Sequence, residues 1–130
     1  MKPGQTGLRR IWSATFNSMR GIRLAWKFEA AFRQDMMLGV ILISVAVTAP
    51  VSTVERVLMI GAVLLLLMIE LLNSGIEAAI DRIGPERHEL SGMAKDVASA
   101  AVFFALVNLA VTYILILGPW LWQLSLEFIA

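Results

Sequence analysis

One stretch limits what this chain can fold into more than any other: residues 97–122 run for 26 positions without a charged side chain. A helix needs roughly 20 mainly apolar residues to cross a bilayer whose hydrocarbon core is about 30 Å thick. This stretch qualifies alone. Residues 36–51 and 57–72 are also apolar, the second interrupted only by Glu70, and each qualifies once a turn is added at its polar end. Composition agrees. The chain is 58% hydrophobic and 16% charged, against about 45–50% and 25% for an ordinary soluble domain, so the excess must face something other than water. The sequence predicts an all-α membrane protein in one domain over 1–130, with spanning helices at about 30–49, 54–83 and 92–127.

Pro50 with Ser52 and Thr53 breaks the first two spans. Gly84-Pro85 ends the second, because the residue before a proline is pushed out of helical geometry, and Ser91-Gly92 precedes the third. Both connections are short, so neighbouring helices run antiparallel.

The first 35 residues are of another kind. Leu8, Ile11, Trp12, Phe16, Met19, Ile22 and Trp26 recur at helical spacing, with Arg9, Arg10, Arg20, Arg23 and Lys27 on the adjoining flank. A helix with this division, expected over about 6–28, lies flat on a membrane surface. The ordinary alternative, an amphipathic helix against a soluble core, finds no soluble core here. The apolar run starts too late for a cleaved signal peptide. Seven of the eleven Lys and Arg residues lie in 1–35 and three more (Arg82, Arg87, Lys95) flank the second connection. The positive-inside rule then puts the N-terminus and that connection in the cytoplasm, and the C-terminus on the far side.

The net charge of +1 excludes the large basic surplus of most nucleic-acid binders, and no nucleic-acid partner is expected. The absence of cysteine removes disulfides, thiol nucleophiles and cysteine zinc sites. His88 is the only histidine, too few for a His-based zinc or di-iron site in one chain. No P-loop and no G-x-G-x-x-G is present.

The chemistry lies in IELLNSGIEAAIDRIG, residues 69–84. Glu70, Asn73, Glu77 and Asp81 follow one another at spacings of 3, 4 and 4, which puts them on one helix face. Ionisable groups in spanning helices cost roughly 2.5–3.5 kcal/mol each on insertion scales and are usually functional. At about 1.5 Å per residue from residue 54, a core of about 30 Å is crossed near residue 74. Glu70 then sits a turn inside the boundary, with Glu77, Asp81, Glu29, Lys95 and Asp96 at or beyond it. Paired carboxylates suit Mg²⁺, which keeps waters and binds substrate phosphates. A lysine is a point charge for a phosphate, and a half-buried glutamate is a candidate general base. These are the parts of phosphoryl transfer, and at this depth the acceptor is a lipid headgroup. The ordinary alternative is a stripe that pairs with neighbouring Lys or Arg and only fixes helix packing.

This segment, followed by HELSGMAKDVASAAV (residues 88–102), resembles the small integral-membrane diacylglycerol kinases of Gram-negative bacteria; GIRLAW (21–26) and EAAFRQD (29–35) match too, and the likeness runs over about 6–117. The resemblance implies a homotrimer with three spanning helices and one surface helix per chain, and sites shared between chains. It implies MgATP-dependent phosphorylation of diacylglycerol to phosphatidic acid in the bacterial inner membrane. It assigns Glu70 as catalytic base supported by Asn73, and Glu29 and Glu77 as carboxylates bridging Mg²⁺ to ATP. Arg10, Asn17, Glu86, Arg87, His88, Lys95 and Asp96 fall at nucleotide contacts. Arg23, Trp26, Ala31, Gln34, Asp35, Glu70 and Ser99 fall at the lipid site. Asn17 and Arg87 stand where relatives carry tyrosine, Gly75 where alanine is usual and Asp35 where glutamate is usual. The related Gram-positive undecaprenol kinases are the nearest alternative. A non-enzymatic membrane subunit or small transporter is the alternative from another class; a transporter gathers its polar residues at the midplane, whereas here they collect at one face.

Overall fold

The computed structural model describes residues 6–130, which form four helices and no strand. α1 spans Leu8–Phe28, α2 Ala30–Thr48, α3 Thr53–Ile83 and α4 Glu89–Ile129. The last three are long and apolar enough to cross a membrane. With 31 and 41 residues, α3 and α4 measure about 46 Å and about 62 Å, well beyond a hydrocarbon core of about 30 Å.

Local chemistry explains the helix ends. α3 starts with a reciprocal capping box: Ser52 Oγ accepts from Glu55 N at 3.2 Å, and Ser52 N donates to Glu55 Oε2 at 2.8 Å. It ends at Gly84, whose φ of 149° favours glycine. α4 begins at Glu89, three residues before the expected start, because His88 caps it: His88 Nδ1 accepts from Leu90 N at 3.2 Å. It then continues through Pro119, which lacks the N–H that the carbonyl of Leu115 would accept.

α3 is the middle of the molecule, with α2 and α4 packed on it. Its buried residues, Met59, Ala62, Val63, Leu66 and Glu70, follow at spacings of 3, 1, 3 and 4 and form one stripe. The core joins four of these to Ala46 of α2 and to Ala105, Leu109 and Tyr113 of α4. Small residues let the backbones approach, as membrane helix interfaces favour. Gly39 of α2 marks a close approach, since an added Cβ would lie 2.9 Å from Val63 Cγ1. Tyr113 donates its hydroxyl hydrogen to the Leu42 carbonyl at 2.9 Å and ties α4 to α2.

Arg56 anchors the α2–α3 turn. Its Nε donates to the Ala46 carbonyl at 2.9 Å, and Nη2 to those of Ala49 at 3.2 Å and Val51 at 3.4 Å. The last carbonyls of a helix have no partner within it, and Arg56 supplies one. α1 buries only Ala25, and its apolar stripe (Leu8, Ile11, Trp12, Phe16, Met19, Ile22, Trp26) stays exposed in the described residues.

Candidate functional site

The packed stripe of α3 runs Leu66, then one turn on, Glu70. Glu70 is 4% exposed and is the only charged side chain buried among the described residues. Asn73 and Glu77 continue the same face, half-buried. Asn73 Nδ2 donates to Glu77 Oε1 at 3.3 Å. Asn73 Oδ1 and the neighbouring Ser74 Oγ are buried with no partner among the described residues. Six other helical Ser and Thr hydroxyls (Thr15, Ser18, Ser44, Thr48, Thr112, Ser125) bond back to their own helix; Ser74 Oγ is the one hydroxyl among the described residues that is both buried and unbonded.

The charges acting on Glu70 are those of Asp35 on α2, Glu77 on α3 and Glu29 at the α1–α2 junction. None of these four carboxylates makes a salt bridge with any described residue. A buried carboxylate with three further acids acting on it, and no basic partner among the described residues, fits a site that takes a cation. No group of three or more His, Cys, Asp or Glu side chains among the described residues could cage a metal by itself. Mg²⁺ needs no such cage, since it is commonly bound through one or two carboxylates plus waters and substrate phosphates.

The fourth member of the sequence stripe departs from the cluster. Asp81 Oδ1 accepts from Lys95 Nζ at 2.6 Å, so the stripe divides into an Asn73–Glu77 pair near Glu70 and an Asp81–Lys95 pair near the α3–α4 connection. That connection holds a cavity of about 490 Å³ lined by Asp81, Glu86, Arg87, His88 and Lys95 among others. Four of the residues expected at a nucleotide thus come together. One ring nitrogen of His88 is committed to the α4 cap, which leaves Nε2 for any other contact.

A second cavity, about 510 Å³, lies between α1 and α3, with Glu29, Ser18, Gly21, Leu71, Ser74 and Gly75 in its walls. The remaining expected residues are not gathered by one chain. Arg10 and Asn17 are exposed on α1, Arg23 and Trp26 likewise, Ala31 and Gln34 on α2, and Asp96 and Ser99 on α4; none lines either cavity.

The sequence model of the prokaryotic diacylglycerol kinase family matches residues 16–117. The chain belongs to that family. The match takes in every candidate residue named above except Arg10. A diacylglycerol kinase of Pseudomonas aeruginosa is 54% identical over 114 residues, which cover 88% of this chain and 93% of that protein. Diacylglycerol kinases of Escherichia coli K12 and Helicobacter pylori are 44% and 39% identical over 117 and 105 residues. These cover 90% and 81% of this chain, and 96% and 82% of theirs. The family is one of lipid kinases, and its fold here is the all-α membrane architecture expected from the sequence.

Two residues that the sequence reading did not assign stand out in the structure. Arg33 is a lone basic residue at the polar edge of an apolar run, and its partners are main-chain carbonyls. Asn108 is exposed near the middle of the charge-free stretch of α4. Its signal was present in the sequence: a single amide in 26 uncharged residues.

Proposed function

We propose that this chain transfers the γ-phosphoryl group of ATP to diacylglycerol at the cytoplasmic face of a bacterial inner membrane, as a homotrimer. The observation that carries this reading is Glu70, a carboxylate 4% exposed on the packed face of a spanning helix, with three other acids acting on it and no basic partner among the described residues. An ionisable group buried there costs the fold stability, whereas a reaction that moves a proton beside polyphosphate has a use for it.

In this reading Glu70 takes the proton of the acceptor hydroxyl as that oxygen attacks the γ-phosphorus. The new O–P bond forms while the bond from phosphorus to the bridging oxygen breaks, and ADP leaves. Glu29 and Glu77 are the residues that would hold Mg²⁺, which when bound neutralises phosphate charge. Asn73 orients Glu77 through its amide. Lys95 offers its remaining donors to the phosphates, with Glu86, Arg87, His88 and Asp96 beside it. Asp35, Ala31 and Gln34 on α2, Arg23 and Trp26 on α1, and Ser99 on α4 face the lipid.

Two observations favour assembly. Arg10 and Asn17 line neither cavity of their own chain, which favours a nucleotide site completed by a second copy. Asn108 presents an amide at membrane depth, where a polar side chain is better placed against another helix than against lipid. Orientation follows the basic residues, with the α3–α4 connection in the cytoplasm.

The test follows labelled γ-phosphate from MgATP to diacylglycerol and, separately, to undecaprenol, with purified protein in mixed micelles and Glu70→Gln as control. The expected result is transfer to diacylglycerol that falls by about 10²–10⁴ in the variant, the usual contribution of a positioned base, while a non-hydrolysable ATP analogue still binds. Transfer to undecaprenol alone would keep the chemistry and change the acceptor. No transfer to either would return the stripe to a packing role.

A further inference from the structure

The connection between α1 and α2 is one residue long. Glu29 is both the C-cap of α1 and the N-cap of α2, with extended backbone (φ −107°, ψ 109°). Its N–H closes α1 on the Ala25 carbonyl at 2.8 Å, and its carbonyl accepts from Arg33 N at 3.3 Å to start α2. A residue has two soft dihedrals, so the main chain at Glu29 does not by itself fix the angle between the surface helix and the spanning helix. Any swing at this point moves the Glu29 carboxylate, because Glu29 is the pivot.

The Arg33 side chain opposes that swing. Reaching back from the first turn of α2, its Nη1 donates to the Trp26 carbonyl at 2.8 Å and to the Lys27 carbonyl at 3.3 Å. These are among the last four carbonyls of α1, which have no partner inside the helix, and they form the negative end of its dipole. Arg33 makes no ion pair with any described acid, although Glu29 and Asp35 are close in sequence. Its charge is committed to the end of α1. The clamp has a second consequence: α1 is one wall of the cavity of about 510 Å³ whose lining includes Glu29, so the angle that Arg33 sets also sets the width of that cavity.

We propose that Arg33 is the positioning residue for Glu29: by tying the C-terminus of α1 to α2 it holds the Glu29 carboxylate where a divalent cation on the nucleotide meets it. This rests on the reading above, in which Glu29 holds the metal, and the experiment separates the two. Arg33→Gln, Glu29→Gln and the double variant are compared with the parent protein as assembled in micelles. Binding of Mn²⁺ is followed by electron paramagnetic resonance in the presence of a non-hydrolysable ATP analogue, and the Mg²⁺ dependence of lipid phosphorylation is measured in parallel.

Arg33→Gln is expected to weaken Mn²⁺ binding by about tenfold, the low end for residues that support a metal ligand, and to shift the Mg²⁺ requirement in the same sense. In the Glu29→Gln background the same change is expected to add nothing, and Arg33→Lys, which keeps one donor, should recover part of the loss. A double variant weaker than Glu29→Gln by the full factor seen in the parent would overturn the inference, as would normal Mn²⁺ binding in Arg33→Gln. Normal binding in Glu29→Gln alone would remove the metal role of Glu29 itself, and this inference with it. If Arg33→Gln does not assemble, Arg33→Lys takes its place in the cycle under the same criterion.

Discussion

Lys95 on α4 and Asp81 on α3 meet at 2.6 Å and join the two longest helices next to their connection. Their side chains are 41% and 66% exposed. Exposed ion pairs add little to stability, since water screens them and two long side chains must be ordered. The pair therefore matters for where it leaves the Lys95 ammonium, at the wall of a cavity shared with Glu86, Arg87 and His88.

Removing either partner should therefore have unequal effects. Asp81→Asn keeps the shape of the wall and frees the ammonium. The expected result is an unchanged unfolding midpoint in micelles and a KM for MgATP within about threefold of the parent. Lys95→Met should raise that KM by about tenfold or more, because a charge-assisted donor to phosphate is lost. Equal effects of the two variants on KM would mean that the ion pair, and not the free charge of Lys95, serves the nucleotide.

The Asn73–Glu77 bond at 3.3 Å gives a second graded comparison. Glu77→Gln removes a carboxylate proposed to hold Mg²⁺ and should raise the Mg²⁺ needed for half-maximal activity by about 10–100-fold. Asn73→Ala removes only the amide that orients Glu77, and should shift the same curve less. A Glu77→Gln protein with a normal Mg²⁺ curve but a lowered unfolding midpoint would make Glu77 a packing residue.

Gly39 tests the packing that carries the site. Its backbone passes so close to α3 that a Cβ would sit 2.9 Å from Val63 Cγ1. Val63 is fully buried, and its β-branched side chain has few alternative rotamers. Gly39→Ala should cost about 1–3 kcal/mol, the usual range for overpacking, although alanine is the better helix former. Denaturant titration in micelles measures this. Val63→Ala in the same chain should restore part of the loss, and equal stability of Gly39→Ala and the parent would show that α2 and α3 can separate freely.

The sequence made the helices and the carboxylate stripe legible for a common reason: both are periodic. Apolar runs announced three spans, and spacings of 3 and 4 placed Glu70, Asn73 and Glu77 on one face before any partner was known. What stayed hidden is held by main-chain carbonyls. Arg33 on Trp26 and Lys27, Arg56 on Ala46, Ala49 and Val51, and Tyr113 on Leu42 all donate to backbone oxygens. An acceptor that every residue possesses leaves no mark in the sequence. The division of the stripe was hidden for a different reason: Asp81 and Lys95 were both conspicuous, but their pairing depends on how the connection between them folds. The early start of α4 rests on one histidine acting as a cap, where a nucleotide contact was the role suggested by resemblance.

Asn108 offers the test of assembly. It lies between Ala105 and Leu109, which are buried in the chain's own core, yet it is itself exposed. Its main-chain carbonyl accepts from Thr112 Oγ1 at 2.7 Å, and its amide has no side-chain partner among the described residues. Amides between membrane helices contribute about 0.6–2 kcal/mol where they find a partner. If the partner is another copy, Asn108→Leu should weaken association by about 3- to 30-fold, while each chain keeps its helices and its core, since none of their contacts uses this side chain. Energy transfer between labelled protomers at increasing detergent-to-protein ratios reads the association directly. A variant that dissociates at the same ratio as the parent would place Asn108 toward lipid and leave the interface to other faces of the chain. Weakened association with a parallel loss of phosphorylation would tie the completed site to the assembled form, as proposed from the separation of Arg10 and Asn17 from the cavity beside Lys95.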